Sequence, residues 1–463
     1  MSPSEEFEFE KNLQSLLVIS PIDGRYKKDT GELRSFFSEF ALLRYRLLVE
    51  IEYLIALSEA EEIPELQTCS RHEAEILRSW YRTFSFKDAQ TIKRIEQETK
   101  HDLKAVEYFL RLKCSEINAG TKIPFIHFGL TSEDINNLAH ALAWKHALKR
   151  VYLPRLDTLI DELKIFSLQQ KNIPLLGLTH GQSATPTTLG KEFAVFFARL
   201  KRQIIRLKNL PLQGKLNGAT GTWGAMSIAY PQMDWLEFSK KFILSLGLEP
   251  NLYSTQVESK DSLSEQYQSV SRINSILIDV SQDIWLYIMR GVLTQKKHGI
   301  GSSTMPHKVN PIEFENAEGN AGLSNAILNH LAQKLPVSRL QRDLSDSTVL
   351  RNQGIGLGHS LLAIKNLTKG LQGIEADENR SREELNQHWE VLTEILQTFL
   401  RKQGNKEAYE QIKQISQGQK MDENLFKSMI ESLPFDEKNK QILKNLEPSD
   451  YTGLAVKICD TLL

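Results

Sequence analysis

The chain has 463 residues, of which 41% are hydrophobic and 25% are charged, so it is long enough to bury a large core. Its 57 Lys and Arg residues balance 58 Asp and Glu residues, and a net charge of −1 produces no long-range field that would attract nucleic acid or an anionic membrane. An anionic substrate must therefore be held by a local cluster of cations.

Cysteine content and the amino terminus exclude several further classes of protein. Cys69, Cys114 and Cys459 are far apart and lack the spacing of a metal or redox site, so neither a disulfide framework nor a metal is expected. The first fourteen residues are acidic, unlike a signal peptide, and no segment approaches the length of a membrane-spanning helix. We therefore expect a cytoplasmic protein.

Apolar residues recur at helical spacing along the chain, first between Phe36 and Leu54, whereas strand-like alternation is hardly seen. The pattern predicts an all-α fold. Three longer helices are predicted, at 134–172 with a bend at Pro154, at 187–209, and between 251 and 305, where one face stays apolar for about eight turns. Their broad apolar faces indicate a central bundle and favour association between subunits.

The segments after Gly373 are shorter and more charged than those before it. Ser381, Asp422 and Asp436 each stand where a helix could be capped. This region therefore predicts a small helical carboxy-terminal domain. The chain contains neither a glycine-rich nucleotide fingerprint nor a P-loop, so function has to be sought in the loops between helices.

Residues 301 to 311, GSSTMPHKVNP, form the most informative of these loops. Small residues let backbone N–H groups approach a negative charge, while Lys308 supplies a cation and Asn310 a neutral donor. Pro311 can open the next helix. A polar surface turn would explain the Gly-Ser-Ser tripeptide alone, but the eleven residues together predict a carboxylate site.

This loop resembles the signature loop of the fumarase and aspartase superfamily, in which a GSS tripeptide is followed by MP and then by K and N at fixed offsets. The resemblance implies that Ser302, with Ser303 as its neighbour, is the base that removes the Cβ proton. It also implies that Lys308 and Asn310 contact a substrate carboxylate. Closure of the loop around Ser302 would stabilise the alkoxide that a serine base requires.

Segment 179–190, THGQSATPTTLG, places His180 in a loop before a helix predicted to begin near Thr187. A lone loop histidine is ordinarily a surface or capping residue. The segment resembles that of the adenylosuccinate lyases, in which the THGQ histidine is the general acid, and Glu315 matches the glutamate that orients it. Glu315 could equally be an exposed first-turn residue that favours the helix dipole. Ser183 replaces a proline of these family members, which removes a rigid residue.

Segment 127–137, HFGLTSEDINN, offers Thr131 and Ser132 as paired hydroxyl donors before a helix predicted to begin around Glu133. TSED is also the start of a capping box. The segment resembles the third conserved region of the superfamily, where a Thr-Ser pair binds carboxylate or phosphate oxygens. Both interpretations stay open, because a cap and an anion site use the same exposed N–H groups.

Further segments resemble the parts of adenylosuccinate lyases that bind the nucleotide. They contain Arg25 and Tyr26 in SPIDGRY, Lys100, His101 and Asp102 in ETKHDLKAVEYFL, Gln256 in NLYSTQVESKD, and Arg342, Ser347 and Arg351 in QRDLSDSTVLR. Arg342, Ser347 and Arg351 can share one helical face and hold phosphate as a fork. Ion pairs with Asp343 and Asp346 at a solvated helix end are the alternative.

The resemblance implies three helical domains, at 1–115, at 116–370 with the central bundle and signature loop, and at 371–463. It further implies a homotetramer whose active sites are shared between subunits, a small nucleotide substrate, and no cofactor. The implied activity is that of a carbon–nitrogen lyase, which releases fumarate from adenylosuccinate and from succinylaminoimidazole carboxamide ribotide. Nucleic acid and membrane partners are not expected.

Two alternatives remain at this point. The chain could be another lyase of the superfamily, such as an argininosuccinate lyase, since the signature loop alone does not separate these enzymes. It could also be an inactive structural member that kept the fold. The presence of Ser302, His180 and Lys308 argues against the second alternative.

Overall fold

The computed structural model describes residues 17–117, 119–296, 305, 308–418 and 420–462. The fold is all-α, as predicted, and the strands of the described residues form only two-stranded pairs. The chain forms two compact units. The first unit comprises Met1–Leu156, Gln203–Ser275 and Gly319–Ala363, and the second comprises Asp157–Arg202, Ile276–Glu318 and Ile364–Leu463. Every boundary between the two units falls inside a helix.

Helices make up most of the described residues. In chain order they are α1 (Lys27–Thr30), α2 (Arg34–Phe37), α3 (Glu39–Ser58), α4 (Arg71–Arg82), α5 (Phe86–Thr99), α6 (Asp102–Glu116), α7 (Ser132–Ala147), α8 (Leu153–Gln169), α9 (Leu189–Asn209), α10 (Gly224–Ala229), α11 (Trp235–Ser245), α12 (Asp261–Arg290), α13 (Ile312–Lys334), α14 (Ser345–Leu350), α15 (Gln353–Gln372), α16 (Glu378–Asn386), α17 (Thr393–Lys402), α18 (Ala408–Ser416), α19 (Glu423–Ser432), α20 (Glu437–Lys444) and α21 (Ala455–Asp460). The 3-10 turns are Gly31–Leu33, Gly120–Phe125, Trp389–Leu392 and Pro448–Asp450.

In the part of the chain that the structure describes, three strand pairs accompany these helices. Strands β1 (Pro174–Thr179) and β2 (Gln182–Thr188) form an antiparallel hairpin, β3 (Gln213–Gly214) pairs in parallel with β4 (Glu249–Pro250), and β5 (Leu293–Gln295) pairs antiparallel with β6 (Ile374–Ala376). The hairpin is a difference from the prediction, which had a loop there. The last pair brings the residues just before the signature loop next to the start of the carboxy-terminal region.

The long helices confirm the periodicity argument. α12 has 30 residues, and its predicted apolar face is buried at Leu263, Tyr267, Val270, Leu277, Val280 and Ile284. The helix predicted at 134–172 is continuous from α7 into α8 through a π-helical turn at Leu148–Tyr152, and it ends at Gln169. That wide turn ends two residues before Pro154, whose backbone nitrogen has no hydrogen to donate to the preceding turn. The bend expected at Pro154 is therefore replaced by the π-helical turn at Leu148–Tyr152, and the helix continues through the proline.

The core of the first unit contains a chain of buried polar contacts between long helices. The Tyr152 hydroxyl lies 2.8 Å from Ser360 Oγ, Ser360 donates to Asn274 at 2.5 Å, and Asn274 donates to Ser324 at 2.9 Å. Buried groups of this kind cost free energy unless every partner is in place. Because each contact joins a different pair of helices, the chain fixes their register along one another.

The second unit has its own apolar core, built mainly from the carboxy-terminal helices. The core includes Leu176 of β1 together with Leu385, Trp389, Leu392, Leu396, Leu400, Phe426, Met429 and Ile430. Asp422 and Asp436 cap α19 and α20, as predicted. The prediction for Ser381 is wrong, since Asp377 caps α16. Ser381 lies inside that helix, is buried, and donates its hydroxyl to the carbonyl of Pro174, which a surface cap could not do.

Candidate active site

Most of the signature loop, including Ser302 and Ser303, lies outside the described residues. Lys308 is described and exposed, and its backbone N–H donates to the Met305 carbonyl at 3.0 Å. Asn310 is half-buried. Pro311 directly precedes α13, as predicted. The side-chain amide of Gln295, at the end of β5, donates to the carbonyl of Val309 at 3.2 Å, so the two ends of the loop are tied together.

His180 lies at the tip of the β1–β2 hairpin rather than in a loop. Thr179 pairs with Gln182, so His180 and Gly181 form a two-residue turn. Both have positive φ, 53° for His180 and 72° for Gly181, as primed hairpin turns require. The following helix α9 begins at Leu189, two residues after the predicted start. The hairpin therefore presents the exposed imidazole at a fixed point of the second unit.

Side chains of the second unit hold this hairpin in place. Thr185 donates to Glu394 at 2.7 Å, and Arg290 donates to the Leu176 carbonyl at 3.0 Å. Ser183 Oγ lies 3.0 Å from the Nδ1 atom of His388. Ser183, which replaces the family's proline, thus makes a hydrogen bond that a proline could not make. This bond restrains the hairpin through a side-chain contact, whereas a proline would restrain it through its ring.

Glu315 stands in the first turn of α13 and is exposed. Within the described residues its carboxylate accepts a hydrogen bond from the indole N–H of Trp285 at 3.3 Å, and not one from His180. The first-turn position is the one that favours an acidic side chain through the helix dipole. The orienting role toward His180 therefore stays a prediction.

Thr131 and Ser132 begin α7, one residue earlier than predicted, with Thr131 as the N-cap. The backbone N–H of Thr131 donates to Asp134 at 2.8 Å, so the capping interpretation is confirmed. Asp134 is fully buried, forms an ion pair with Lys215 at 2.9 Å, and accepts the backbone N–H of Asn217 at 3.0 Å. A buried carboxylate with this many partners fixes the helix start and both hydroxyls that it presents.

The prediction that Arg342, Ser347 and Arg351 share one helical face is wrong. Helix α14 covers only Ser345–Leu350, so Arg342 precedes the helix and Arg351 follows it. The physical reason is Asp343, which accepts the backbone N–H of Ser345 at 2.8 Å and turns the chain just before the helix. Ser347 is half-buried within α14.

Arg342 and Arg351 nevertheless lie among other predicted site residues of the first unit. Arg342 donates to Gln256 at 3.1 Å, and Arg351 lies 3.5 Å from Asp102 and 3.1 Å from Glu39. Neither of the predicted partners, Asp343 and Asp346, is paired with these arginines in the described residues. The ionic contacts therefore run between segments distant in sequence, as a substrate-binding cluster requires.

Asp102 is held by two arginines. It forms an ion pair with Arg46 at 2.6 Å in addition to its contact with Arg351. Burial tends to raise the pKa of Asp102, but the charge of Arg46 and its hydrogen bond outweigh burial and set the pKa below its usual value. Asp102 is thus a fixed negative charge at the start of α6.

The other predicted substrate residues occupy the ends of helices. Arg25 is exposed, with its guanidinium 6.0 Å from the ring centre of Tyr26 at the start of α1. Lys100 ends α5 with a φ of 53°. His101 caps α6, since its Nδ1 accepts the backbone N–H of Lys104 at 3.1 Å. Structural capping thus accounts for His101 without a ligand, and its substrate role stays a prediction.

Several charged residues that surround these groups were missed by the sequence analysis, among them Glu39, Arg46, Glu133, Lys215 and Lys260. Their contacts bridge separations of 56 to 312 positions in the chain. Pairs this far apart in the chain leave no repeating pattern in the sequence. Each residue taken alone resembles an ordinary charged surface residue. Two of them, Glu133 in HFGLTSEDINN and Lys260 in NLYSTQVESKD, stood inside segments that were already singled out for other residues.

Metal clusters and membrane-spanning helices are absent from the described ranges. In those ranges, no group of three or more His, Cys, Asp and Glu residues is arranged to hold a metal ion. None of the helices that the structure describes is both long and apolar enough to cross a membrane.

Comparison with known proteins identifies the family. A family model described as lyase matches residues 24–323, and one described as adenylosuccinate lyase C-terminal matches residues 338–452. The adenylosuccinate lyase of Escherichia coli (strain K12) is 46% identical to this chain over 453 residues, which cover 97% of this chain and 99% of that protein. The chain belongs to the adenylosuccinate lyase family. Its relative from Vibrio cholerae is 45% identical over 97% of this chain.

Solved structures place the family within the wider superfamily fold. Fumarate lyase from Mesorhizobium sp. BNC1 matches with a TM-score of 0.74 at 18% identity, and covers 93% of this chain and 97% of its own. The 3-carboxy-cis,cis-muconate lactonizing enzyme from Pseudomonas putida matches with a TM-score of 0.71 at 22% identity, and covers 93% of this chain and 95% of its own. At these identities the likeness concerns the fold, which is that of the fumarase and aspartase superfamily.

Proposed function

We propose that this chain releases fumarate from adenylosuccinate, giving AMP, and from succinylaminoimidazole carboxamide ribotide, giving aminoimidazole carboxamide ribotide. The observation that carries the proposal is its 46% identity, over nearly its whole length, to an enzyme named adenylosuccinate lyase. The arginines of the first unit add a chemical reason, because a substrate with a phosphate group needs cations that fumarase and aspartase substrates do not.

The elimination can be followed group by group. Ser302 takes a proton from Cβ, and the electron pair passes into the neighbouring carboxylate, which becomes a doubly charged aci-carboxylate. Lys308 and Asn310 stabilise this charge, which exists only in the transition state and the intermediate. The electrons then return to form the double bond of fumarate, and the carbon–nitrogen bond breaks with its electron pair on nitrogen. His180 donates a proton to that nitrogen.

The phosphate is assigned to Arg342 and Arg351 with Ser347. Both guanidinium groups are already oriented by acceptors of the first unit, Gln256 for Arg342 and Glu39 with Asp102 for Arg351. Preorientation lowers the entropy that a flexible arginine loses when it binds an anion. The arrangement supports binding of one phosphate by two partly fixed cations.

The proposed homotetramer is supported by apolar side chains that the second unit leaves exposed. They are Ile165, Leu178, Val195, Trp285, Leu286, Met289 and Ile312. Exposed apolar side chains on neighbouring turns of long helices are typical of subunit interfaces. The family implies that each active site takes residues from three subunits. We also propose that the chain has three domains, with boundaries after residues 115 and 370, and that the protein is cytoplasmic.

One assay tests the proposed function. Purified protein is incubated with adenylosuccinate and, separately, with succinylaminoimidazole carboxamide ribotide, and the fumarate released is measured enzymatically. Argininosuccinate serves as the control substrate. Release of fumarate from argininosuccinate alone would assign the chain to a different reaction of the superfamily, and release from none of the three would contradict the proposal.

Substitution of the two arginines should weaken substrate binding. We expect Arg342→Ala and Arg351→Ala each to raise KM for adenylosuccinate strongly, because loss of a charge-assisted phosphate contact costs about 1.5 to 3 kcal/mol. Arg339→Ala is the matched control, since Arg339 lies in the same segment but is 81% exposed and pairs only with Asp343 among the described residues. If both site variants bind AMP as the parent does, the phosphate assignment fails.

Shared active sites should allow two inactive proteins to complement each other. We expect a mixture of Ser302→Ala and His180→Ala proteins, after reversible dissociation, to regain part of the activity. Mixed tetramers would place an intact Ser302 from one chain beside an intact His180 from another. A monomer in light scattering, or no recovery despite demonstrated subunit exchange, would mean that each site is built within one chain.

A further inference from the structure

The carboxylate of Glu133 joins two cations from distant segments of the first unit. One oxygen lies 3.0 Å from the Lys260 ammonium group, and the other lies 3.4 Å from a terminal nitrogen of Arg342. The Glu133 side chain is only 4% exposed, and Lys260 is equally buried. Glu133 also follows Ser132 directly at the start of α7, a helix end that the Asp134–Lys215 ion pair fixes. The position of this carboxylate is therefore set by the fold.

Arg342, in contrast, takes its position from its partners. It stands outside α14, so no helix fixes its backbone. Its two terminal nitrogens contact Gln256 at 3.1 Å and Glu133 at 3.4 Å, while its Nε is buried without a hydrogen-bond partner among the described residues. A guanidinium group is planar, so contacts at its two terminal nitrogens determine the orientation of the whole group. Glu133 supplies the charged contact of the two.

The surrounding charges keep Glu133 in place. Burial alone would lower the pKa of Lys260, but the charges of Glu133 and Glu258 outweigh burial and raise it. Burial raises the pKa of Asp346, and the charge of Glu133 raises it further, while Lys260 and Arg342 oppose that rise. A buried carboxylate that lost its cations would be strongly unfavourable, so Glu133 does not swing away from them.

We propose that Glu133 is the positioning residue for Arg342: it fixes the guanidinium group in the direction that meets the substrate phosphate and touches no substrate itself. The inference rests on the proposed function, because it takes the phosphate to be the anion that Arg342 binds. It assigns to the acidic residue of the TSED segment a task separate from those of Thr131 and Ser132, which act through their hydroxyls. Nothing in the capping of α7 requires it, since Asp134 makes the capping contact.

The test uses Glu133→Asp, which keeps the charge but withdraws the carboxylate by one methylene, about 1.5 Å. A charge-neutralising variant would also remove repulsion of the phosphate, whereas this variant isolates position. We expect the KM for adenylosuccinate and the Kd for AMP to rise about tenfold, which corresponds to one weakened charged contact. We expect kcat and the inhibition constant of fumarate to stay within about twofold, because phosphate binding contributes equally to ground and transition states.

The matched control is Glu107→Asp. Glu107 is also 4% exposed and also bridges two cations, Lys104 at 2.7 Å and Arg111 at 2.6 Å, but neither of these is a predicted substrate residue. We expect it to leave the Kd for AMP unchanged even if it lowers Tm. Equal weakening of AMP binding in both variants would show a general effect of disturbing a buried ion pair, and would overturn the inference.

A double-mutant cycle separates action through Arg342 from any other route. If Glu133 acts through Arg342, Glu133→Asp adds no further loss of AMP affinity in an Arg342→Ala background. Additive losses, weakened fumarate binding, or parental AMP affinity in Glu133→Asp would each contradict the proposal. If Glu133→Asp does not fold, the isosteric Glu133→Gln takes its place in the same cycle, where any change caused by the lost repulsion of the phosphate persists in the Arg342→Ala background and can be subtracted. Failure of the parent protein to cleave adenylosuccinate would instead refute the proposed function.

Discussion

Ser302→Ala is expected to abolish turnover while leaving the binding of AMP and adenylosuccinate nearly unchanged. A correctly placed base contributes about 10²- to 10⁴-fold to a rate, and that contribution exists only in the transition state. We therefore expect kcat to fall by about 10⁴-fold with little change in the Kd for adenylosuccinate. Single-turnover kinetics would measure the chemical step, and calorimetry with AMP would measure binding separately.

Ser303→Ala is the natural control, because it changes the neighbouring hydroxyl of the same loop. It should retain most of the parental kcat. The opposite pattern, with an active Ser302→Ala protein and an inactive Ser303→Ala protein, would move the base by one residue. Loss of AMP binding in the Ser302→Ala protein would indicate a damaged site instead of a missing base.

Removal of the general acid should have the second-largest effect. We expect His180→Asn to lower kcat by about 10²- to 10⁴-fold with little effect on KM. Asparagine is the sharper choice than alanine, since His180 has a φ of 53° and asparagine adopts this left-handed conformation readily. The turn should survive, so the lost activity reports the imidazole alone. Circular dichroism and Tm would verify that the fold is retained.

His72→Asn provides a matched control for this second experiment. His72 is an exposed histidine on α4 with no predicted role, and its substitution should leave kcat unchanged. Near-parental turnover in His180→Asn would exclude His180 as the proton donor. A raised KM with unchanged kcat would make it a binding residue, and the assignment of the leaving-group proton would have to pass to another side chain.

The long helices could be predicted from sequence because burial repeats every 3.6 residues. The buried residues of α12 from Leu263 to Ile284 recur at this spacing. The β1–β2 hairpin could not be predicted in the same way. Its strands carry Gly177, Thr179, Ser183 and Thr185 where an alternating apolar pattern would be needed, and backbone pairing and side-chain hydrogen bonds hold it instead.

The composition of the candidate site was predictable and its geometry was not. Resemblance to a family singled out Gln256 and Arg342, and the structure places them 3.1 Å apart. The helical face proposed for Arg342 and Arg351 failed, because one side chain, Asp343, ends the preceding turn before α14 begins. Glu133 escaped notice for a related reason: its partners Lys260 and Arg342 are 127 and 209 positions away in the chain.

The two-residue turn at His180 has a consequence for variation in chain length. One inserted residue would either lengthen the turn to a three-residue loop, which changes the backbone conformation that presents His180, or shift the pairing of β1 with β2 by one residue, which sends each side chain of the shifted strand to the opposite face. Ser183 and Thr185 would then point away from His388 and Glu394, which now hold them. Homologous genes should therefore not gain or lose codons in this turn. Length changes should collect instead in connections such as the one between α18 and α19, where no strand register depends on them.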